Sequence, residues 1–419
     1  MGGRAITRLK VVHYGWVIVG VGVLVKMTSL GFGRFAYPML LPNMRESLGF
    51  NYAEMGLLSG AIMMGYLLFS LIGGLLATRF GPKKIVTASL LCGALSMLSI
   101  SKLSGFSPLL LFSFAMGAGA AGSHISITTM PMAWFEELRL GRALGILTGG
   151  TGLGIIVTGL LLPYLLFSLG KEAWRQCWFL LASITFSVAV IGWILLREKP
   201  GQITLLPSSS KGNEAIMLSR EERNGLNIKT IFVIYFLFGF AYNIYATYFV
   251  AHMVEEIRLT EKTAGDIWAI FGWMCTGSGL IWGYVSDRLG RRQALLWNNG
   301  IISFSVLLPL LLHQPFFLGL SAFLFGATFL GTVTVIAAAI GDRVLEKRAS
   351  VYGLVTLIHG IGQFLGTTSG GYLKDLTGSF QLTLLVSLIG FLLCILLMLI
   401  SKKGEKISLT LKLNNPMTQ

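Results

Sequence analysis

Apolar residues in this chain come in long blocks separated by short polar loops, and the block length decides the reading. A helix needs about 20 mostly apolar residues to cross the hydrocarbon core of a bilayer. Blocks of about that length sit near 14–41, 53–77, 84–103, 108–134, 143–168, 175–196, 229–253, 264–286, 293–313, 315–341, 350–373 and 380–401. They predict an all-α membrane protein with twelve transmembrane helices. The longest polar stretch, Arg197 to Asn227, falls between the sixth and seventh blocks. It divides the chain into an N-terminal six-helix bundle (1–196), a linker (197–228) and a C-terminal six-helix bundle with its tail (229–419).

Composition supports the block pattern. Hydrophobic residues make up 54% of the chain and charged residues only 12%, against about a quarter charged in ordinary soluble domains. The net charge is +15. In a soluble protein that excess would suggest nucleic acid, but here the basic residues lie in the short loops. Loops on the side of the termini hold 24 Lys and Arg, and the opposite loops hold 7. The excess of positive charge marks the cytoplasmic side, so both termini and the linker are expected there, in a bacterial inner membrane. The first apolar block is too long for a signal peptide. Ile6 stands where a myristoylation signal requires Ser or Thr. The cysteines Cys92, Cys177, Cys275 and Cys394 form no CxxC pair, so neither a disulfide framework nor a zinc site is expected.

The chain repeats itself at an offset near 208 residues. Gly31-Phe32-Gly33 and Tyr37 match Gly239-Phe240-Ala241 and Tyr245, and Gly117-Ala118 and Gly122 match Gly326-Ala327 and Gly331. Gly145, Gly152 and Gly154 match Gly353, Gly360 and Gly362, and Gly74 to Lys83 matches Gly283 to Arg292. Four matches in order at one offset predict two parallel six-helix repeats about an axis along the membrane normal.

The last match also carries a family resemblance. Gly283-Tyr284-Val285-Ser286-Asp287-Arg288-Leu289-Gly290-Arg291-Arg292 resembles the loop signature of the major facilitator superfamily, G-x-x-x-D-R-x-G-R-[KR]. The first copy keeps Gly74, Arg79 and Gly81 but has Thr78 for the acid and Pro82 for a basic residue. The resemblance implies a conformational latch built from these loops, with Gly74 and Gly283 allowing tight helix approach. Asp287 would accept hydrogen bonds from another helix N-terminus, where the dipole is positive, with Arg288 and Arg291 beside it in the latch. Gly31 to Tyr37 with Leu40-Leu41-Pro42 is similar to the first helix of the YbfB/YjiJ-like permeases. His13-Tyr14-Gly15-Trp16 and Asp375-Leu376-Thr377-Gly378 look like the oxalate–formate and monocarboxylate permeases.

The chemistry is expected where charge is expensive. The 18 acids all fall on loops or near span ends, with Asp266 the deepest. Two cations, Lys26 and Arg34, fall inside the first span. Lys26 lies roughly 16 Å past Gly15 at about 1.5 Å per residue. A cation at that depth costs at least ~2.5–3.5 kcal/mol and needs a watery cavity or a partner. The resemblance implies a central cavity lined by the first and fourth helices of each half, which carry His124, Tyr242, Asn243, Tyr245, Thr328 and Thr332. His359 and Gln363 on the eleventh span would face it from the side. Cations without buried acids point to an anionic substrate, with hydroxyl and amide donors beside them.

These features predict a secondary-active or facilitative transporter of a small organic anion, with a monocarboxylate as one candidate. No Walker loop, HExxH or GxSxG is present, so neither direct ATP drive nor an enzyme is expected. No cofactor, metal or nucleic acid is expected, the bilayer is the solvent, and the chain is expected to be a monomer. Efflux of amphipathic compounds and a membrane sensor that transports nothing are the alternatives left open.

Overall fold

The computed structural model describes residues 14–135, 137–170, 172–198, 226–343 and 348–401, which form helices joined by short turns. The first apolar block is not one smooth helix. Helix α1 (Tyr14–Lys26) passes into a π-helical turn (Met27–Phe32). The chain breaks at Gly33 to Ala36 and continues as α2 (Tyr37–Leu48), which begins with proline in its first turn and carries Pro42 within it. The run therefore reaches Leu48, seven residues beyond the expected end. It stops where Gly49 adopts a left-handed conformation (φ 70°) that other residues rarely take.

Helices α3 (Tyr52–Phe80), α4 (Pro82–Ile100), α5 (Phe106–Thr129), α6 (Glu137–Leu169) and α7 (Ala173–Leu195) complete the N-terminal half. In the C-terminal half, α8 (Ile228–Ala251) passes into a second π-turn (His252–Glu256). It is followed by α9 (Glu261–Leu289), α10 (Arg291–Leu311), α11 (Pro315–Arg343), α12 (Arg348–Thr377) and α13 (Phe380–Ile400). Among the described residues, ten segments are long and apolar enough to cross a membrane. The remaining two long helices, α9 and α12, reach 29 and 30 residues. The linker expected at 197–228 falls largely outside the described residues.

The repeat read from sequence reappears as repeated contacts. A Cβ at Gly117 would strike the carbonyl of Ile62, and one at Gly326, its repeat equivalent, would strike that of Phe271. Thus α5 packs on α3 as α11 packs on α9. The turns after α3 and α9 agree as well, with Gly81 at φ 90° and Gly290 at φ 87°. Two glycine-lined seams join the halves. In one, α6 meets α9 at Gly159–Gly265 and Gly152–Gly272; in the other, α3 meets α12 at Gly56–Thr367 and Tyr52–Gly371. Backbones touch there because no side chain intervenes, and van der Waals contact substitutes for the hydrophobic effect that lipid cannot supply.

Candidate functional site

Span one supplies the two cations of the site, Lys26 and Arg34. Gly31 packs against Gly154 backbone to backbone, and Gly150 packs against Val23. These contacts fix one face of α1 and its π-turn on α6. Lys26, at the last position of α1, is 3% exposed. Its ammonium has no hydrogen-bond or ion-pair partner among the described residues. His124 on α5 lies within electrostatic reach of both Lys26 and Arg34. His124 is half-buried, yet its Nδ1 is buried without a hydrogen-bond partner.

Arg34 sits in the break after the π-turn and is in the opposite situation. Its Nη2 donates to the Tyr242 hydroxyl on α8 and to Gln363 Oε1 on α12 at 3.1 Å. Its guanidinium also lies over the rings of Phe35, Tyr66 and Tyr242 at 5.4, 5.9 and 5.6 Å. Arg34 thus ties the two halves together. Tyr66 on α3 was not singled out by sequence. It joins the two ends of the site, because its ring also meets His124 at 6.2 Å. One tyrosine in an apolar helix gives no signal until its neighbours are known.

The structure gathers Lys26, Arg34, His124, Tyr242 and Gln363, with His359 and Asn243 behind them. His359 stacks on Tyr235 at 3.9 Å and faces the Tyr242 ring at 5.7 Å. Its Nδ1 donates to the Tyr235 carbonyl at 2.9 Å, which fixes the tautomer because a carbonyl only accepts. Asn243 donates to the Gln363 carbonyl. Three expected residues lie elsewhere. Thr332 donates to Asn298 Oδ1 at 2.6 Å, Asn298 donates to the Thr328 carbonyl, and Tyr245 shares a bond with Ser321 at 2.6 Å. All three are at most 1% exposed and fasten α8, α10 and α11 to one another. Spacing alone could not tell this use from cavity lining.

The loops of the signature behave differently from the expectation. Asp287 is paired with Arg291 at 2.5 Å, and Arg291 also holds Asp342 at 2.8 Å, all within the C-terminal half. Arg288 covers Tyr284, and Arg79 covers Phe80. A Cβ at Gly74 or Gly283 would meet only ordinary contacts, at 3.9 Å to Ile125 and 3.7 Å to Thr334. Tight approach is therefore not what these two glycines provide, whereas Gly81 and Gly290 are required by their positive φ. In the first copy, where Thr78 replaces the acid, Glu198 supplies one. Its carboxylate accepts from the backbone N–H of Lys83 at 3.1 Å.

An acid on a helix N-terminus of the other half is found at the opposite end of the molecule. The Asp375 carboxylate accepts from the backbone N–H groups of Tyr52 and Ala53, at 2.9 and 2.7 Å. Arg45 pairs with Glu255 at 3.3 Å, and Asn43 donates to Glu261 at 2.8 Å. Asp266 is not the deepest acid: it is about half exposed and paired with Lys262. Glu256 is better buried, its side chain 20% exposed, and it holds His252, Lys374 and the N–H of Phe380. It lies in the π-turn at 252–256, which block length does not reveal.

Comparison with known proteins agrees with the fold. The chain is 24% identical to the hexuronate transporter of Bacillus subtilis (strain 168) over 375 residues, 83% of this chain and 85% of the relative. It is 24% identical to the probable nitrate/nitrite antiporter NarK1 of Thermus thermophilus over 416 residues, covering 90% and 88%. It is 22% identical to a putative tartrate transporter of Agrobacterium vitis over 369 residues, covering 80% and 82%. Among solved structures, a bacterial homolog of the human lysosomal transporter Spinster superposes with a TM-score of 0.73 at 14% identity, covering 95% and 97%. The nucleoside transporter NupG superposes at 0.71 with 16% identity, covering 91% and 97%. The family described as the uncharacterised MFS-type transporter YbfB matches residues 26–399, and this chain, an integral membrane protein and not an enzyme, belongs to that family of transporters.

Proposed function

We propose that the protein moves a small organic anion, a monocarboxylate in the simplest case, across the bacterial inner membrane by alternating access. Twelve helices in two six-helix bundles enclose the site, with both termini and the linker in the cytoplasm. The observation that carries the reading is Lys26, buried at 3% exposure with no partner among the described residues. A bare ammonium at mid-membrane is expensive, and a substrate carboxylate offsets the cost each time it binds. The relatives named for hexuronate, nitrate and tartrate transport favour an anion over a cationic drug. In this orientation the Asp375 end faces outward. The bonds from Arg45, Asn43 and the α3 N-terminus close that end.

Uptake into proteoliposomes tests the reading. Labelled small carboxylates should enter, unlabelled carboxylates should compete, and lipophilic amines should not. Competition by amines alone would favour efflux of amphipathic compounds. Carboxylates that stabilise the protein without crossing the bilayer would favour a sensor.

A further inference from the structure

Arg34 and Lys26 differ in what they still need, and that difference describes the ligand. The Arg34 guanidinium is engaged by Tyr242 and Gln363, whereas the Lys26 ammonium has no partner among the described residues. The acceptors on Arg34 are neutral but occupy its Nη2 donors, so the ammonium of Lys26 is the cation left open for a ligand carboxylate.

The second unmet group is neutral in kind. His124 presents a buried Nδ1 without a hydrogen-bond partner. Lys26 and Arg34 lie within electrostatic reach of it, and the Tyr66 ring stands 6.2 Å from the imidazole. Neither cation can accept a hydrogen bond from it, and like charge opposes a second cation there. A buried polar atom left unpaired is costly, so a partner is expected when the site is full. A hydroxyl both donates and accepts, so it satisfies an imidazole nitrogen in either tautomer, while a carboxylate only accepts.

We infer that the ligand is a hydroxylated carboxylate, its carboxylate on Lys26 and a hydroxyl on His124. This rests on the anion reading above and narrows it. Lys26 sets charge, and His124 sets the discrimination between a hydroxy acid and its deoxy analogue. A site built to hydrogen-bond a substrate hydroxyl rejects the analogue lacking it far more strongly than an apolar pocket rejects a missing methylene.

The test uses the full chain, purified in detergent, and matched acids at two chain lengths: lactate against propionate, and gluconate against hexanoate. Thermal unfolding reads binding, because a ligand stabilises the state it binds. In the pair that binds, the hydroxy acid should act at a concentration about tenfold or more below its analogue, a lower bound for a lost substrate hydrogen bond. His124→Leu should raise the hydroxy acid to the level of the analogue and leave the analogue unchanged. His124→Gln, which keeps a donor and an acceptor, should retain part of the preference and guards against a folding defect in the leucine variant. Equal action of the two acids on the wild type, or a preference that survives His124→Leu, would overturn the hydroxyl assignment and leave the anion reading standing. Stabilisation by no carboxylate at either length would remove both.

Discussion

The two halves share a scaffold and divide the chemistry. Gly117 and Gly326 make the same contact, and Gly81 and Gly290 make the same turn. At the offset of the repeat, however, Lys26 faces Ile234 as its counterpart, Arg34 faces Tyr242, and His124 faces Val333. Ile234 is fully buried. The π-turn that follows Lys26 also has no counterpart, since the equivalent residues of the C-terminal half lie within regular α8. π-Turns of this kind are frequent at functional sites. Under the proposed function, the site lies where the copies disagree. The first helix keeps the glycines of its backbone contacts and differs at the positions of its two cations.

Substitutions that make the halves alike break this contrast most. Lys26→Ile gives the N-terminal half the residue of the C-terminal half. It removes a buried charge, so the ligand-free protein should gain stability, up to about 2.5–3.5 kcal/mol, and lose carboxylate-dependent uptake altogether. Thermal unfolding and proteoliposome flux read the two effects separately. A less stable variant that still transports would show that Lys26 is structural.

Arg34→Lys should have the next effect. A compact ammonium cannot hold Tyr242 and Gln363 together as a planar fork does. Loss of one charge-assisted bond corresponds to about 1.5–3 kcal/mol, read as weaker contact between the halves and a shifted balance of inward- and outward-accessible labelling. An unchanged balance would remove Arg34 from the bridge between them.

The two ends of the molecule sharpen the comparison further. Asp375→Asn weakens an acid on the N-terminus of α3, worth about 0.3–1 kcal/mol and up to ~2 kcal/mol where partly buried. Accessibility of the site from outside should rise several-fold. Asp287→Asn should have a smaller effect, because Asp287 is exposed and its partner Arg291 keeps Asp342. Thr78→Ala should do less still, since among the described residues the Thr78 hydroxyl bonds only back to Leu75 of its own helix. A stronger response at Asp287 than at Asp375 would return the latch to the signature loops.

Block length and the repeat made much of the architecture legible before any geometry. Lys26 and Arg34 were legible as well, because charge inside an apolar block needs no neighbour to look unusual. Their partners were not. Tyr66 and Tyr235 resemble any aromatic residue in a lipid-facing helix until α3 and α8 are brought beside Arg34 and His359. Thr328 and Thr332 share a helix face, but whether that face meets the cavity or Asn298 depends on the rotation of α11. Glu256 sits in a π-turn, and its partners His252, Lys374 and Phe380 come from three separate places that sequence does not bring together. Asp375 became visible only when the N-terminus of α3 was placed against it.

The most direct test of the account compares wild type with Lys26→Gln in proteoliposomes, with expression shown to match and folding confirmed by cooperative thermal unfolding. Glutamine keeps length and polarity and removes the charge. Affinity for a small carboxylate should fall by about 1.5–3 kcal/mol, the worth of a hydrogen bond to a charged group, which is roughly ten- to a hundred-and-fifty-fold, and Lys26→Arg should restore little of it. Carboxylate uptake in the glutamine variant with wild-type affinity would contradict the claim that Lys26 is the anion-binding cation.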